Sequence, residues 1–441
     1  MTQRRLVRQF AACVVALAAC LTGLAQTSPG DGGTSLRAPM AVELFDEADK
    51  YVEVKYAEFR AANRAYDQAL ADQVRVDQQA LALKNAKIIE GWSAPAGDDL
   101  FYLGRLYSLA SEDEKALDAF TRFLKQKPAG TDKNLQSARI SFIRLTMPDE
   151  RFDEAEQALA AYRGAQPRTA EQLFSAEKTL ASAYSKADRK SVGLPHARAA
   201  YAAAKELPTT TATERDTKVE AIAEAGILFA GAVGEGSTTE NVHTIWREIR
   251  DFAVAFPSAK LYRKAVQSLA EVGEDESASQ LHPPPADPTL LAPELSVHTW
   301  IEQKAIKLSE LRGRVVLLDF WAHWCGPCIY TMPILAKWNT LYGPKGLTIL
   351  GVTEFYGKVQ GEPKKPDEEL AYLRLFRTKY KVNYGFAVDQ GETNDLNYGI
   401  ASLPTAFLLD RQGRVRMITI GASQAEGGAL EAAIKTLLNE K

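Results

Sequence analysis

The stretch "LLDFWAHWCGPCIYTMP", Leu317–Pro333, decides how this chain is read. It sets two cysteines, two tryptophans, two prolines, a histidine and one acid among apolar residues. Upstream it continues as "GRVVLLDFWA", an unbroken apolar run rich in β-branched residues. Such a run reads as a buried central strand. Downstream, "CGPCIYTMPILAKWNTLYG" reads as a helix that starts inside the CxxC. A cysteine at that point meets the positive end of the helix dipole and unpaired backbone N–H groups, which both favour thiolate over thiol. The second cysteine, three residues on, is close enough to close a disulfide. Its sulfur is expected deeper in the fold, in the resolving role.

Working outward, the cysteine count narrows the chemistry. The chain has Cys13, Cys20, Cys325 and Cys328 and no others. One CxxC in the folded body excludes a disulfide framework. A zinc site would need a second Cys/His pair at ligand spacing, and His298 and His323 stand alone, so no metal is expected. A peroxidatic cysteine would need Thr or Ser three residues upstream, where Ala322 stands, and a proline where Leu318 stands. Asp319 is costly inside an apolar strand unless neutral or bonded, which points to a function. His323 is expected as an exposed neighbour of the site, with Tyr330 and Thr331 on the helix surface.

Further elements follow. "GLTILGVT" reads as a second buried strand, and "KPDEELAYLRLFRTKY" as a helix opened by Pro366. "TAFLLD" and "RVRMITI" flank the turn "RQG" as an antiparallel hairpin. "AEGGALEAAIKTLLNE" closes the chain as a helix. This order predicts an α/β domain with a mixed sheet and helices on both faces.

"DFWAHWCGPC" resembles the active site of the thioredoxin superfamily. Asp319 stands six residues before Cys325, where that family has a buried acid. Pro333 stands five after Cys328, at its helix-kinking proline, and "LPTAFLLDRQGRV" resembles its cis-proline segment. The lead-in "APELSVHTWIEQKAIKLSELRGRVVLLDFWA" and the insertion between about Glu354 and Tyr384 are similar to the exported TlpA and ResA type.

The resemblance implies a thiol–disulfide oxidoreductase without a cofactor. Cys325 would attack and Cys328 resolve, the pair forming the redox-active disulfide. Asp319 would relay protons to Cys328. Pro404 would be cis against the disulfide, and Leu403 would pair its backbone with a client peptide. Trp324, Gly326 and Pro327 would complete the client surface. The Gly-Pro between the cysteines resembles the reducing members. Reducing disulfide-containing clients outside the cytoplasm then implies a membrane electron donor. Cytochrome-maturation members carry Glu at the position of Thr331; Glu354 is a candidate for their other acid.

The remaining two thirds read differently. "MTQRRLVRQF" followed by "AACVVALAACLTGLA" has the form of an export signal, residues 1–25. "LAAC", ending at Cys20, resembles a lipobox, which would cut the signal to residues 1–19 and lipidate Cys20. Either way the body is expected in the periplasm or cell envelope. Residues 41–275 read as a helical domain, and Ala41 to Ser93 has helix composition, with almost no Gly or Pro and many Ala, Glu, Gln and Lys. Val52, Tyr56, Phe59, Tyr66, Leu70 and Val74 predict one or two long amphipathic helices. In "DDLFYLGRLYSLASEDEKALDAFTRFLKQKP", Leu103, Gly104, Tyr107, Ala116, Phe120 and Pro128 fall at the spacing of a tetratricopeptide repeat. The pattern recurs more weakly around Tyr162, Tyr184 to Tyr201 (with a longer turn) and Phe252. About four helical hairpins are expected, an all-α array suited to holding a protein partner. Proline-rich residues 276–293 read as a linker to a thioredoxin-like domain at 294–441. A net charge of −3 in 441 residues shows no nucleic-acid footprint.

Overall fold

A computed structural model of the chain describes residues 39–62, 64, 67–126, 132–233, 242–274 and 279–440. The export segment with Cys13 and Cys20, and Tyr66 and Pro128 of the helical pattern, lie outside the described residues.

Three helices open the described chain where one or two were expected: α1 (Ala41–Asp49), α2 (Tyr51–Ala61) and α3 (Gln68–Glu90). α2 buries none of its residues, so Val52, Tyr56 and Phe59 form no core stripe. Four helical hairpins follow. α4 (Asp98–Leu109) pairs with α5 (Asp113–Lys125), and α6 (Asp132–Thr146) with α7 (Phe152–Arg163). α8 (Ala170–Lys186) pairs with α9 (Lys190–Lys205), and α10 (Ala212–Val233) with α11 (Val242–Ala255). Gly104 permits the first close approach: a Cβ there would stand 2.8 Å from the Phe120 ring. Tyr107, Ala116, Tyr162, Tyr184 and Tyr201 are buried, as packing positions should be.

The longer turn expected in the third hairpin does not form. α9 starts at Lys190 and carries Pro195 inside it. Pro195 removes one helical donor. Burial of Gly193, His196, Ala197, Ala200 and Tyr201 on the same helix offsets that loss. A last helix, α12 (Ala259–Glu271), is capped by Ser258, whose Oγ accepts the Leu261 N–H at 3.3 Å.

The C-terminal part is a mixed sheet. In chain order its elements are β1 (Thr299–Ile301), β2 (Val315–Phe320), α13 (Gly326–Tyr342), β3 (Leu347–Glu354) and a small hairpin of β4 (Lys358–Val359) and β5 (Glu362–Pro363). Then come α14 (Pro366–Lys379), β6 (Gly385–Asp389), α15 (Thr393–Tyr398), β7 (Thr405–Leu409), β8 (Val415–Ile420) and α16 (Gln424–Asn439). The six-stranded order is β1-β6-β3-β2-β7-β8. β2, β3 and β6 run parallel; β1, β7 and β8 pair antiparallel with their neighbours. β1 and β6 do not stand out in the sequence, being three and five residues long.

Side chains alternate between the two faces of each strand. Val315, Leu317 and Trp321, with Ile349, Phe386 and Leu408, share one core with residues of α13, α14 and α16. Val316, Leu318 and Phe320, with Leu350, Val352 and Phe407, belong to the other core. That second core is continuous with Ile222, Trp246, Ile249, Phe256, Tyr262 and Leu269 of the helical region. On this face the domain's own cover is slight, a one-turn helix at Leu308–Leu311 and the six-residue α15. The last helices of the array complete it, so helices do lie on both faces. The proline-rich segment runs beside β8. His282 donates its N–H to the Arg416 carbonyl at 2.7 Å, and Ala292 to that of Gly413 at 3.0 Å. No helix among the described residues is long and apolar enough to cross a membrane.

Candidate active site

Cys325 is the N-cap of α13, with extended backbone, and its sulfur accepts the Cys328 N–H at 3.2 Å. Gly326 and Pro327 fill the first two helical positions, where a proline loses no helical hydrogen bond. The two cysteines are joined in a disulfide with Cα atoms 5.3 Å apart. Cys325 is 5% exposed and Cys328 fully buried, so the first cysteine is the less covered of the two. Gly326 and Pro327 beside it are exposed. Trp324 is 57% exposed and sets its ring edge-on to Tyr356, centroids 5.5 Å apart.

Asp319 sits on β2 opposite Gly351 of β3 and Ala406 of β7. Alternation points its side chain to the face that α13 covers. It is 3% exposed, and Oδ2 has no hydrogen-bond partner among the described residues. Burial pushes its pKa up to about 7. The buried Trp321 Nε1 and Tyr384 hydroxyl also lack partners. Burial raises the Tyr384 pKa well above its ordinary value, and the charge of Asp319 adds to the rise. A cavity of about 420 Å³, lined by Thr331, Pro333, Trp338, Pro404 and Thr419 among others, reaches Asp319. An acid that titrates near neutrality therefore lies inside the core with a route outward.

The Leu403–Pro404 peptide is cis. Pro404 is buried and its carbonyl accepts the Gly421 N–H at 2.8 Å. Leu403 is half-buried, and its own N–H and C=O find no backbone partner among the described residues. A loop peptide without a backbone partner is a place where an extended chain can add as a strand.

Comparison with known proteins finds matches over this C-terminal part of the chain. A family model described as Redoxin matches residues 290–436. Thiol-disulfide oxidoreductase ResA of Bacillus thuringiensis (strain Al Hakam) is 32% identical over 130 residues, covering 30% of this chain and 68% of ResA. This chain belongs to the ResA family of thiol–disulfide oxidoreductases. The ResA of Geobacillus thermodenitrificans is 31% identical over 126 residues, 29% of this chain and 66% of that protein. Among solved structures, a putative thiol:disulfide interchange protein DsbE from Chlorobium tepidum is 30% identical, covering 34% of this chain and 96% of that one, with a TM-score of 0.29. All three matches cover only about a third of this chain.

Thr331 lies on α13 and donates its hydroxyl to the Cys328 carbonyl at 2.9 Å. Glu354 ends β3 and lines a small cavity with Trp321, Tyr356, Asp389, Asp395 and Leu403. Burial, and next the charge of Asp395, push the Glu354 pKa up to about 7. Asp395 itself is raised to about 6 by burial and by the charges of Glu392 and Asp389. Glu354 thus lines one small cavity with Leu403, whereas Thr331 does not supply an acid.

His323 corrects a sequence expectation. It is buried, not exposed. Tyr356 and Tyr372 pack edge-on against its ring, with centroids 5.9 and 5.4 Å away. Burial pushes its pKa down, against the opposing pull of Glu369 and the Lys358 backbone, so the ring is neutral at neutral pH. Glu369, which the sequence did not single out, is fully buried beside it. Its two oxygens accept the N–H groups of Tyr356 at 2.9 Å and Gly357 at 3.0 Å. "PDEEL" shows three acids in a first helical turn, which read as favourable to the dipole. Only the packing of α14 tells that the third turns inward.

Proposed function

We propose that the chain is an exported protein-disulfide reductase. The observation that carries this reading is the arrangement around Cys325. Cys325 stands at a helix N-terminus and is 5% exposed, its partner Cys328 is fully buried, and the buried Asp319, its pKa pushed up to about 7, lies on the strand that leads into the pair. In the reduced form the Cys325 thiolate attacks one sulfur of a client disulfide and expels the other as a thiolate. Cys328 then loses its proton towards Asp319, attacks the Cys325 sulfur and releases the second client sulfur. The client gains two electrons and, with two protons, leaves as a dithiol. The pair is left as the disulfide present in this structure. A dithiol donor at the membrane would return the two electrons.

Trp324, Gly326, Pro327 and the Leu403 backbone form the client surface in this reading, with Pro404 setting the turn beside them. Export rests on the basic and apolar start of the sequence, with Cys20 as the lipidation candidate. The helical region would receive a protein partner. A groove of about 810 Å³ supports that role, lined by Arg144, Met147, Phe152, Lys178, Ile227 and Leu228 among others.

Cys328→Ala protein should trap client proteins as mixed disulfides that dithiothreitol releases. The double variant Cys325→Ser, Cys328→Ser should lose insulin reduction. The competing reading is an interaction scaffold whose CxxC only captures clients. It predicts that the helical region retrieves the same proteins without either cysteine.

A further inference from the structure

The loop that ends in Leu403–Pro404 is held by the helical region. One contact reaches α15, which leads into it, and two reach the loop itself. Arg215 of α10 donates Nε to the Asn397 carbonyl at 3.4 Å while its guanidinium lies 3.9 Å over the Phe256 ring. Lys260, in the first turn of α12, donates its backbone N–H to the Gly399 carbonyl at 2.8 Å. Arg263, one turn further on, hydrogen-bonds the Ser402 hydroxyl.

Each contact has a physical reason. The first N–H groups of a helix have no partner within it. Here a loop carbonyl satisfies one of them. Gly399 permits the approach because it caps α15 in the left-handed region, φ 56°. A Cβ there would stand 2.4 Å from the Ser258 hydroxyl, so α12 and the loop fit only with glycine. Ser402 is then fixed on both sides. Arg263 binds its hydroxyl, and its carbonyl accepts the Thr405 hydroxyl at 2.8 Å. The next residue is Leu403, whose N–H and C=O find no backbone partner among the described residues.

We propose that α12 braces the client-binding loop, with Arg263 a positioning residue that sets the Leu403 peptide for strand pairing with a polypeptide client. This deepens the reductase reading and rests on it. The helical region is then part of the client site itself, and not only a remote adaptor. Its effect falls on clients that pair through backbone. A small disulfide without a peptide backbone does not use the brace.

The test uses the full chain, with insulin as the polypeptide disulfide, 5,5′-dithiobis(2-nitrobenzoate) as the small one and dithiothreitol as reductant in the insulin assay. Arg263→Ala should raise KM for insulin about tenfold, the loss of one charge-assisted hydrogen bond, with kcat changed less than about twofold. Oxidation of the prereduced variant by the small disulfide should change less than about twofold. Arg263→Lys should recover part of the KM, because a lysine can still donate to Ser402. Ser402→Ala should raise KM similarly, and the double variant Arg263→Ala, Ser402→Ala should add little. An unchanged KM in both single variants would overturn the proposal. So would equal losses on both substrates, which would mark a general structural effect. A wild-type protein that reduces neither substrate would overturn the reductase reading, and the brace with it.

Discussion

Nε2 of His323 lies 3.6 Å from Oε1 of Glu369, just beyond hydrogen-bonding distance, and both side chains are buried two residues upstream of Cys325 and on α14. Together they fasten the segment after β3 against the active-site turn. Glu369 holds the amides of Tyr356 and Gly357, and the Tyr356 ring touches both His323 and Trp324.

Removing the carboxylate should free that segment. Glu369→Ala leaves two part-buried amides without their acceptor and should cost about 2 kcal/mol of stability, read from urea unfolding. Glu369→Gln keeps one acceptor oxygen and should cost less. Hydrogen exchange at Tyr356 and Gly357 should quicken in both variants, more in the alanine. Unchanged exchange at both amides would contradict the role given to Glu369.

Asp319 makes stability depend on pH in a predictable direction. In the disulfide form neither cysteine titrates. Burial raises the folded pKa of Asp319 to about 7, against about 3.9 for an unfolded aspartate. Between these values the folded chain keeps a proton that the unfolded chain has lost. The contribution of Asp319 is therefore complete below about pH 4 and is lost as pH rises through about 7, by roughly 4 kcal/mol. Asp319→Asn should remove this dependence and stabilise the oxidised protein at pH 8 relative to wild type. The same variant should slow release of the client from the mixed disulfide by about tenfold or more if Asp319 accepts the Cys328 proton as proposed. A variant with the wild-type pH profile of unfolding would contradict the assignment.

The apolar face shared with the helices makes a third prediction. A fragment starting at residue 276 would bare Val316, Leu318, Phe320, Val352 and Phe407 wherever the array had covered them. Patches of that kind bind hydrophobic dyes and promote association. The fragment should bind such a dye and self-associate, while the full chain should do neither. A monomeric, dye-silent fragment with the melting temperature of the full chain would contradict the shared core.

Much of this was legible in the sequence because local chemistry and tertiary role coincide. The apolar run to Phe320 reads as a buried strand and is one, and CGPC with its proline at the second helical position starts a helix there. Gly104 and Phe120 meet because a tight hairpin needs a small residue opposite a large one. What stayed hidden depends on contacts between distant segments. Nothing near His323 says that α14 buries it. Nothing in "PDEEL" marks Glu369 from its neighbours. β1 is too short to show a period, and β6 pairs β3 across more than thirty residues. The bond between Lys260 and Gly399 joins positions in what read as separate domains.

The reduction potential of the Cys325–Cys328 pair tests the central claim most directly. Equilibration of the full chain with reduced and oxidised glutathione measures it. The account predicts a value near the reducing thioredoxins, about −270 mV, and in any case below about −200 mV. A value near −120 mV, in the range of the strong oxidants, would contradict it.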